Sequence, residues 1–217
     1  MAKIRVGLIR VISNLEQAQI HGRILEQAFP MLVVSTRLID GFPDGLYNKI
    51  LEQQAVPEIL KAAQTLAAHV DVIAVSCAAD PGVEELRQTL SIPVVGAGSS
   101  LGAVARASGM KVGFITITPY LPYAVVQAFQ KDEVEWKQVA GVHRSSDLFG
   151  ALDATIQTAT ELLKRGCRAI GLACTGFSTM GVATVLERTF SGVLVLDPVV
   201  AMGAVITGLF GGSIRRG

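Results

Sequence analysis

The sequence of 217 residues is poor in charge and in cysteine, and each shortage excludes a class of protein. Charged residues make up 17% of the chain, against about 25% in an average soluble protein, while apolar residues make up 50%. A disordered chain lacks apolar residues in this proportion, so we expect a folded globular protein. The 19 basic and 18 acidic residues nearly cancel, which argues against a nucleic-acid partner.

Three cysteines are too few for the disulfide framework of a small secreted domain. No basic stretch precedes an apolar one at the N-terminus, so no signal peptide is indicated and we expect a cytoplasmic protein. Residues 193–212 are almost long and apolar enough for a membrane-spanning helix, but Asp197 and Pro198 interrupt them. We therefore expect no membrane span.

Short apolar runs rich in Val and Ile predict strands that are buried on both faces, because most of them lack alternation of apolar and polar residues. The predicted strands are residues 4–9, 31–36, 72–76, 93–96, 111–118, 169–173 and 193–197. Between them lie segments with helical spacing, among them residues 51–68 and residues 147–166, where Asp147 is a plausible N-cap and Gly166 a plausible terminator. Strands that alternate with helices form parallel sheets, so the predicted fold class is α/β.

The second half of the sequence repeats the first. Three pairs of segments match in the same order: residues 5–9 with 111–115, 72–82 with 169–179, and 92–107 with 193–208. A repeat of about half the chain is much longer than the repeat of a solenoid. It predicts two α/β lobes related by a pseudo-twofold axis, with parallel sheets and an active site in the cleft between the lobes. We assign residues 1–98 and 199–217 to the first lobe and 99–198 to the second.

Cys77 and Cys174 occupy equivalent positions in the repeats, each at the carboxyl end of a predicted strand. Ligands of open α/β sheets bind beyond the carboxyl ends of the strands. Helix starts are predicted after both cysteines, at Pro81 and Ser178, and helix N-terminal amides stabilise a thiolate. We therefore expect two thiols with lowered pKa values that face one cleft from opposite sides.

Two facing thiols suit the inversion of a carbon stereocentre. One group removes the proton from one face of the carbon, the other returns a proton to the opposite face, and the roles exchange in the reverse reaction. The alternative is that Cys77 and Cys174 are small apolar residues that fill space at strand ends. Cys167 has no partner in the other repeat and begins a predicted strand, so we expect it in the core.

Three segments carry a resemblance to a known family: SCAADPGVEELRQTLSIPVVGAG at 76–98, LACTGFSTM at 172–180 and VLVLDPVVA at 193–201. With them the whole chain resembles the aspartate/glutamate/hydantoin racemase superfamily, most closely its hydantoin racemase branch. The resemblance implies a cofactor-independent racemase or epimerase with pseudo-symmetric lobes and Cys77 and Cys174 as its catalytic pair. Thr175 matches the threonine that follows the second cysteine in glutamate racemases.

The sequence departs from the family pattern at several positions. Glutamate racemases have Asn-Thr after the first cysteine and a histidine in their Cys-Thr-His motif, where this chain has Ala78-Ala79 and Gly176. Hydantoin and allantoin racemases usually have an aromatic residue at the position of Ala78. They also have Asn-Pro-Asn after the first strand, where this chain has residues 10–14, Arg-Val-Ile-Ser-Asn. The substrate therefore stays open between an amino acid of the aspartate or glutamate type and a 5-substituted hydantoin.

The loop after the first strand of each repeat should also face the cleft. Its hydroxyl and amide groups can bind a carboxylate or a ring carbonyl and stabilise an enolate. Equally, Asn14 and Thr118 can cap the next helix. The predicted substrate-binding residues, from these loops and from the positions beside the cysteines, are Ser13, Asn14, Ala78, Thr116, Thr118, Thr175 and Gly176.

Three further features of the sequence are candidate components of the site. Arg10 can pair with a carboxylate or be a solvated charge at a strand end. Asp80 can orient a base, but before Pro81 it is more simply an N-cap, and Ser99-Ser100 likewise suits a helix start. The histidines and cysteines lack metal-ligand spacing, so we predict no metal and no cofactor.

Three functions remain compatible with the sequence. The first is an isomerase, in which both cysteines act at a stereocentre next to a carbonyl group. The second is a decarboxylase, another lyase or a hydrolase that uses one thiol. The third is a non-catalytic two-lobed protein that binds a small molecule. In each case the partner is a small molecule, and because a low-charge surface leaves apolar residues to be covered, we expect a homo-oligomer.

Overall fold

The computed structural model describes residues 3–130 and 134–211, and helices alternate with strands along the chain. In order, the elements are β1 (Ile4–Arg10), α1 (Ile20–Ala28), β2 (Leu32–Leu38), α2 (Lys49–Ala67), β3 (Val72–Ser76), α3 (Val83–Thr89), β4 (Val94–Gly96), α4 (Ala97–Ala107), β5 (Val112–Thr116), α5 (Tyr123–Val126), β6 (Glu135–Gln138), α6 (Leu152–Lys164), β7 (Ala169–Leu172), α7 (Gly176–Thr179), α8 (Val182–Thr189), β8 (Leu194–Leu196) and α9 (Pro198–Phe210). Short 3-10 helices cover Leu15–Gln17 and Ser145–Gly150.

The strands form two parallel sheets of four strands each within the described residues. The first sheet has the order β2-β1-β3-β4 and the second the order β6-β5-β7-β8, so equivalent strands of the repeat take equivalent places. This confirms the predicted α/β fold of two similar lobes. In each sheet the chain crosses from one side of the first strand to the other, and the carboxyl ends of β1 and β3, and of β5 and β7, therefore border a crevice.

Helices cover both faces of both sheets, because the strands are apolar on both faces. In the first sheet α2 and α3 pack on one face, while α1 and α9 pack on the other. In the second sheet α6 and α8 pack on one face, while α5 and α4 pack on the other. Helix α4 thus follows the first sheet in sequence but packs on the second, and α9 follows the second sheet but packs on the first.

This exchange of helices supports the predicted division of the chain at residues 98 and 198, which stays a prediction. Residues 1–2 and 212–217 of the first predicted lobe lie outside the described residues. The apolar segment 193–212 contains β8 and α9, with Asp197 between them capping α9 by accepting the amide N–H groups of Val199 and Val200. No helix among the described residues is long and apolar enough to cross a membrane.

Two elements differ from the sequence-based expectation. Strand β6 was not predicted: it is an edge strand paired with β5, and its residues are polar or half-exposed, so its sequence shows no apolar run. The helix predicted over 147–166 begins only at Leu152, because Asp147 lies in the preceding 3-10 helix and accepts the amide N–H groups of His143 and Arg144. Gly166 has a φ of 85° and follows the end of α6, as predicted.

Candidate functional site

The two cysteines that the repeat brings into correspondence line the same cavity. Cys77 directly follows the last residue of β3, and Cys174 lies two residues beyond the end of β7. The cavity has a volume of about 170 Å³ and lies between the carboxyl edges of the two sheets; we call it the interlobe cavity. Its lining includes, from the first half of the chain, Arg10, Asn14, Glu52, Cys77 and Ala78, and from the second half Thr118, Ser145, Cys174, Thr175, Gly176 and Thr179.

Both sulfur atoms sit in the same local geometry. The Sγ atom of Cys174 accepts the amide N–H of Gly176 at 3.4 Å, and the thiol of Cys77 accepts the corresponding amide N–H, that of Ala79. The hydroxyl group of Ser145 also hydrogen-bonds to the thiol of Cys174. The turn after each strand therefore presents its thiol and a nearby amide to one cavity from the two lobes.

The predicted lowering of the thiol pKa values is wrong. Burial raises the pKa of Cys77 and of Cys174, and the amide hydrogen bonds offset this rise only in part. Negative charge on Cys174, on Glu52 or on Asp80 raises the pKa of Cys77 further. Both thiols are therefore protonated at neutral pH, and a thiolate formed in this place is a stronger base than a free one.

Glu52 is a cavity residue that sequence reasoning missed. It lies in the first turn of α2, and its Oε1 atom accepts a hydrogen bond from the Tyr120 hydroxyl at 3.0 Å. Burial and the Glu52 charge raise the pKa of Tyr120, so this hydroxyl stays a donor. Nothing in the sequence distinguishes Glu52 from the other glutamates on exposed helix faces, because its role depends on the start of α2 meeting Tyr120 of the other half of the chain.

Five of the predicted substrate-binding residues line the interlobe cavity. They are Asn14, Ala78, Thr118, Thr175 and Gly176. Asn14 also caps a 3-10 helix, because its Oδ1 atom accepts the amide N–H of Glu16 at 2.9 Å. The Thr118 hydroxyl donates to the carbonyl of Tyr120 at 2.6 Å and therefore presents an acceptor oxygen.

The other two predicted residues, Ser13 and Thr116, lie outside the cavity lining. Ser13 borders a separate surface depression beside β2, and its amide N–H donates to the carbonyl of Phe42 at 3.1 Å. Thr116 is completely buried at the end of β5, where its hydroxyl shares a hydrogen bond of 2.9 Å with that of Thr118. Thr116 can thus hold Thr118 in place without touching a ligand.

Asp80 acts as a helix cap, but not for the helix that follows it. Its backbone is left-handed with a φ of 53°, and its carboxylate accepts the amide N–H groups of Gly98 at 2.6 Å and Ser99 at 2.8 Å. It therefore ties the turn that carries Cys77 to the start of α4, and burial raises the pKa of Asp80 to about 6. Ser99 and Ser100 belong to α4 and border a different depression.

A buried polar network joins the two lobes beneath the cavity, and sequence reasoning did not foresee it. His21 on α1 is completely buried, with Nδ1 hydrogen-bonded to the Ser76 hydroxyl at 2.8 Å and Nε2 to the Thr179 hydroxyl at 2.9 Å. Arg10, at the end of β1, donates to the same Thr179 hydroxyl at 3.5 Å and to the carbonyl of Gln17. A single histidine within a helical segment carries no sequence signal for such a role.

The chain matches a known protein family in sequence and several solved structures in fold. A family model described as Asp/Glu/Hydantoin racemase matches residues 11–204. No curated protein sequence matches the chain.

Among solved structures, the chain is similar to the allantoin racemase of Klebsiella pneumoniae, with a TM-score of 0.83 and 19% identity over 97% of this chain and 89% of that one. The allantoin racemase of Pseudomonas fluorescens gives a TM-score of 0.82 and 15% identity over 97% and 92% of the two chains. A glutamate racemase isoform of Bacillus anthracis gives a TM-score of 0.68 and 14% identity over 98% of this chain and 84% of that one. These similarities show that the chain has the same two-lobed fold as these three proteins.

Proposed function

Since the chain belongs to the Asp/Glu/hydantoin racemase family, we propose that it is a racemase or epimerase in which Cys77 and Cys174 act without a cofactor at a stereocentre next to a carbonyl group. One observation carries the proposal: two thiols at equivalent ends of two similar sheets line a single small cavity. Inversion at carbon needs one proton-transfer group on each face of that carbon, which a pair of groups from two lobes supplies.

The proton transfers balance between the two sulfur atoms. One cysteine first releases its proton to solvent. As a thiolate it then removes the proton from the stereocentre, and the electron pair of the broken C–H bond moves onto the neighbouring carbonyl oxygen to give an enolate. The other cysteine, as thiol, donates its proton to the opposite face of the carbon as the enolate collapses. The first cysteine is then the thiol and the second the thiolate, ready for the reverse direction.

The raised thiol pKa values fit this chemistry. A carbon–hydrogen bond next to a carbonyl group is a weak acid, so proton removal is easier for a base whose conjugate acid is itself weak. Burial of Cys77 and Cys174 makes each thiolate such a base. The hydroxyl and amide groups of the cavity lining, those of Thr175 and Asn14 among them, can supply hydrogen bonds to a developing enolate charge.

The size of the cavity favours a small substrate. Its volume of about 170 Å³ lies below the roughly 300–1,000 Å³ of pockets that hold drug-sized ligands. An amino acid of the aspartate or glutamate type and a hydantoin with one substituent at carbon 5 are both small molecules with a carbonyl group next to a stereocentre. We propose a substrate from one of these two classes and a protein that works in the cytoplasm as a homo-oligomer.

Solvent deuterium exchange at the stereocentre tests the proposal. The wild-type protein, incubated in D₂O with single enantiomers of amino acids and 5-substituted hydantoins, should convert its substrate and incorporate deuterium at that carbon. Cys77→Ser and Cys174→Ser should each lower the rate of conversion at least about 100-fold, since each removes one proton-transfer group. Cys167→Ser is the matched control, because Cys167 lies in the core of the second lobe and not in the cavity. The rate of this variant should stay within about twofold of the wild-type rate.

Other outcomes would assign a different function. If both single variants convert an authentic substrate at the wild-type rate, the roles given to the cysteines are wrong. Release of carbon dioxide, or a covalent adduct on one cysteine found by mass spectrometry, would instead indicate a lyase or hydrolase that uses one thiol. Tight retention of a small molecule without any proton exchange would indicate a binding protein.

A further inference from the structure

Arg10 is a buried cation in the lining of the interlobe cavity. Only 3% of its surface is exposed, yet it lies at the carboxyl end of β1, where the strand order of the first sheet reverses. In the sheet register it stands opposite Ser76, the residue before Cys77. The backbone of Arg10 is therefore adjacent to the strand end that carries Cys77, and its side chain is part of the cavity lining.

The guanidinium group lacks a negatively charged partner within the described residues. Of its five N–H groups, one donates to the Gln17 carbonyl and one to the Thr179 hydroxyl, while the Nε atom is buried without a hydrogen-bond partner. No carboxylate of residues 3–130 or 134–211 lies within salt-bridge distance of Arg10. Burial lowers the pKa of Arg10 to about 10, so the group is still charged at neutral pH.

The neighbouring ionisable groups do not supply the missing charge. Of the two acidic residues in the cavity lining, Asp44 pairs with Arg144 at 3.6 Å, while Glu52 accepts the Tyr120 hydroxyl and lies beyond salt-bridge distance of Arg10. His21 is uncharged, because burial and the positive charge of Arg10 lower its pKa well below the usual range. A buried charge is costly unless it is paired, so an anion bound beside Arg10 would offset that cost.

We propose that Arg10 binds a carboxylate group of the substrate, and that the substrate is therefore a small carboxylate of the amino-acid type and not a neutral hydantoin ring. The inference rests on the proposed function, because it takes the interlobe cavity as the place where the substrate binds. The planar guanidinium fork matches a carboxylate with two parallel N–H···O bonds. Pairing the carboxylate with a cation also makes the adjacent carbon proton easier to remove, because less negative charge accumulates in the enolate.

Binding of unreactive probes to the full-length protein tests this inference without requiring turnover. Glutarate and its neutral diamide, glutaramide, have nearly the same shape and differ in charge, and unsubstituted hydantoin represents the alternative substrate class. By isothermal titration calorimetry, the wild-type protein should bind glutarate more tightly than either neutral probe. Arg10→Met, which keeps most of the length of the side chain, should weaken glutarate binding about 10- to 100-fold and leave hydantoin binding unchanged.

Two further variants separate charge from fold. Arg10→Lys keeps the charge but loses the planar fork, so its glutarate affinity should fall between those of the wild type and Arg10→Met. Arg23→Met is the matched control, because Arg23 is exposed on α1, and its glutarate affinity should equal that of the wild type. Without ligand, Arg10→Met should unfold at the same or a higher urea concentration than the wild type, since it removes a buried unpaired charge.

A purely structural role for Arg10 predicts the opposite pattern. Equal affinity of the wild type and Arg10→Met for glutarate, or tighter binding of glutaramide or hydantoin by the wild type, would overturn the inference, as would no measurable binding of glutarate. The double variant Cys77→Ser/Cys174→Ser should still bind glutarate. If glutarate binds but the wild-type protein exchanges the proton of none of the tested substrates, the catalytic proposal fails and the proposed anion site remains.

Discussion

At the scale of single residues, the chemistry of the thiols depends on burial more than on the nearby amides. A backbone amide N–H that donates to a sulfur atom lowers the pKa of the thiol, and both cysteines accept one. The loss of solvent around the sulfur atoms nevertheless has the larger effect. In the folded protein the neutral thiol is favoured. The stability that depends on the neutral thiols is fully present below the pKa of an unfolded cysteine, about 8.5. It is lost as the pH rises through the higher pKa of the cysteines in the folded protein.

The alkylation rates of the thiols report this shift. The alkylation of Cys77 by iodoacetamide should still increase above about pH 9.5, where a free thiol with a pKa of about 8.5 is almost fully ionised. Peptide-resolved mass spectrometry gives the rate at each pH, with glutathione in the same tube as the reference. A plateau for Cys77 below pH 8 would show that the amide hydrogen bonds dominate after all.

Some of the residues that line the interlobe cavity could be predicted from the sequence. The equivalence of Cys77 and Cys174 is visible as a repeat, and so the cavity that they share could be predicted. The roles of Glu52 and His21 could not, because each is a single polar residue on a helix whose meaning depends on what the helix packs against. The direction of the thiol pKa shifts could not be predicted either, since burial is a property of the assembled lobes.

At the scale of elements, the starts of α4 and α9 fix the turns that carry the cysteines. Asp80, in the turn after Cys77, binds the amides at the start of α4, while Ser178, after Cys174, donates to the Asp197 carboxylate that caps α9. Each turn is thus attached to the helix that follows the next strand of its own repeat. The close approach at α4 depends on Gly98, where a Cβ atom would lie 2.0 Å from the carbonyl oxygen of Ala78.

We predict that Gly98→Ala displaces the turn that holds Cys77. The added methyl group meets backbone atoms that cannot move alone, so the variant should lose about 1–3 kcal/mol of unfolding free energy and most of the exchange activity. Gly208→Ala in α9 is the control, because nothing lies within 4 Å of its Cβ position. It should gain a few tenths to about 1 kcal/mol, as expected for alanine in a helix. Urea unfolding and deuterium exchange measure both; equal behaviour of the two variants would contradict the proposed contact.

The sequence pattern predicts most elements because their apolar runs are buried on both faces. Strands β1, β3 and β7 agree with the prediction within about one residue, the tolerance of boundary assignments. Strand β6 has a single neighbour in its sheet, and a strand that is half exposed needs few apolar residues. Its existence follows from the repeat, in which β2 is the equivalent strand, and not from its own composition.

At the scale of the whole molecule, the exchange of α4 and α9 makes each lobe depend on a distant part of the chain. Val199, Met202 and Ile206 of α9 are completely buried against the first sheet, whose own strands end at Gly96. Burying three side chains of this kind contributes roughly 5–9 kcal/mol, which is comparable to the entire stability of an ordinary domain.

A chain that ends at Leu196 should therefore be unable to form a stable first lobe, although it keeps every strand of both sheets. We expect loss of a cooperative urea transition and binding of a dye specific for exposed apolar surface, with little soluble protein. A chain that ends at Gly211, which keeps all of α9, is the control and should unfold like the full-length protein. A cooperative transition in the shorter chain would show that α9 is dispensable for the first lobe.

The repeat itself is what made the two-lobed architecture predictable from one sequence. Three matching segments in the same order specify two similar units, and the sheets confirm this by sharing one strand order. The network of His21, Ser76 and Thr179 between the lobes was beyond prediction, because residues far apart in the sequence meet there only after both lobes have folded.

The position of α9 also governs the order of events on the ribosome. About 100 residues separate the last strand of the first sheet from α9, and at roughly 5–20 residues per second their synthesis takes about 5–20 s. Through that interval the nascent first sheet carries an uncovered apolar face, with α4, the counterpart of α9 in the repeat, as the helix that emerges next. A rare codon or a pause late in the message would prolong the exposure of a sheet that was translated first.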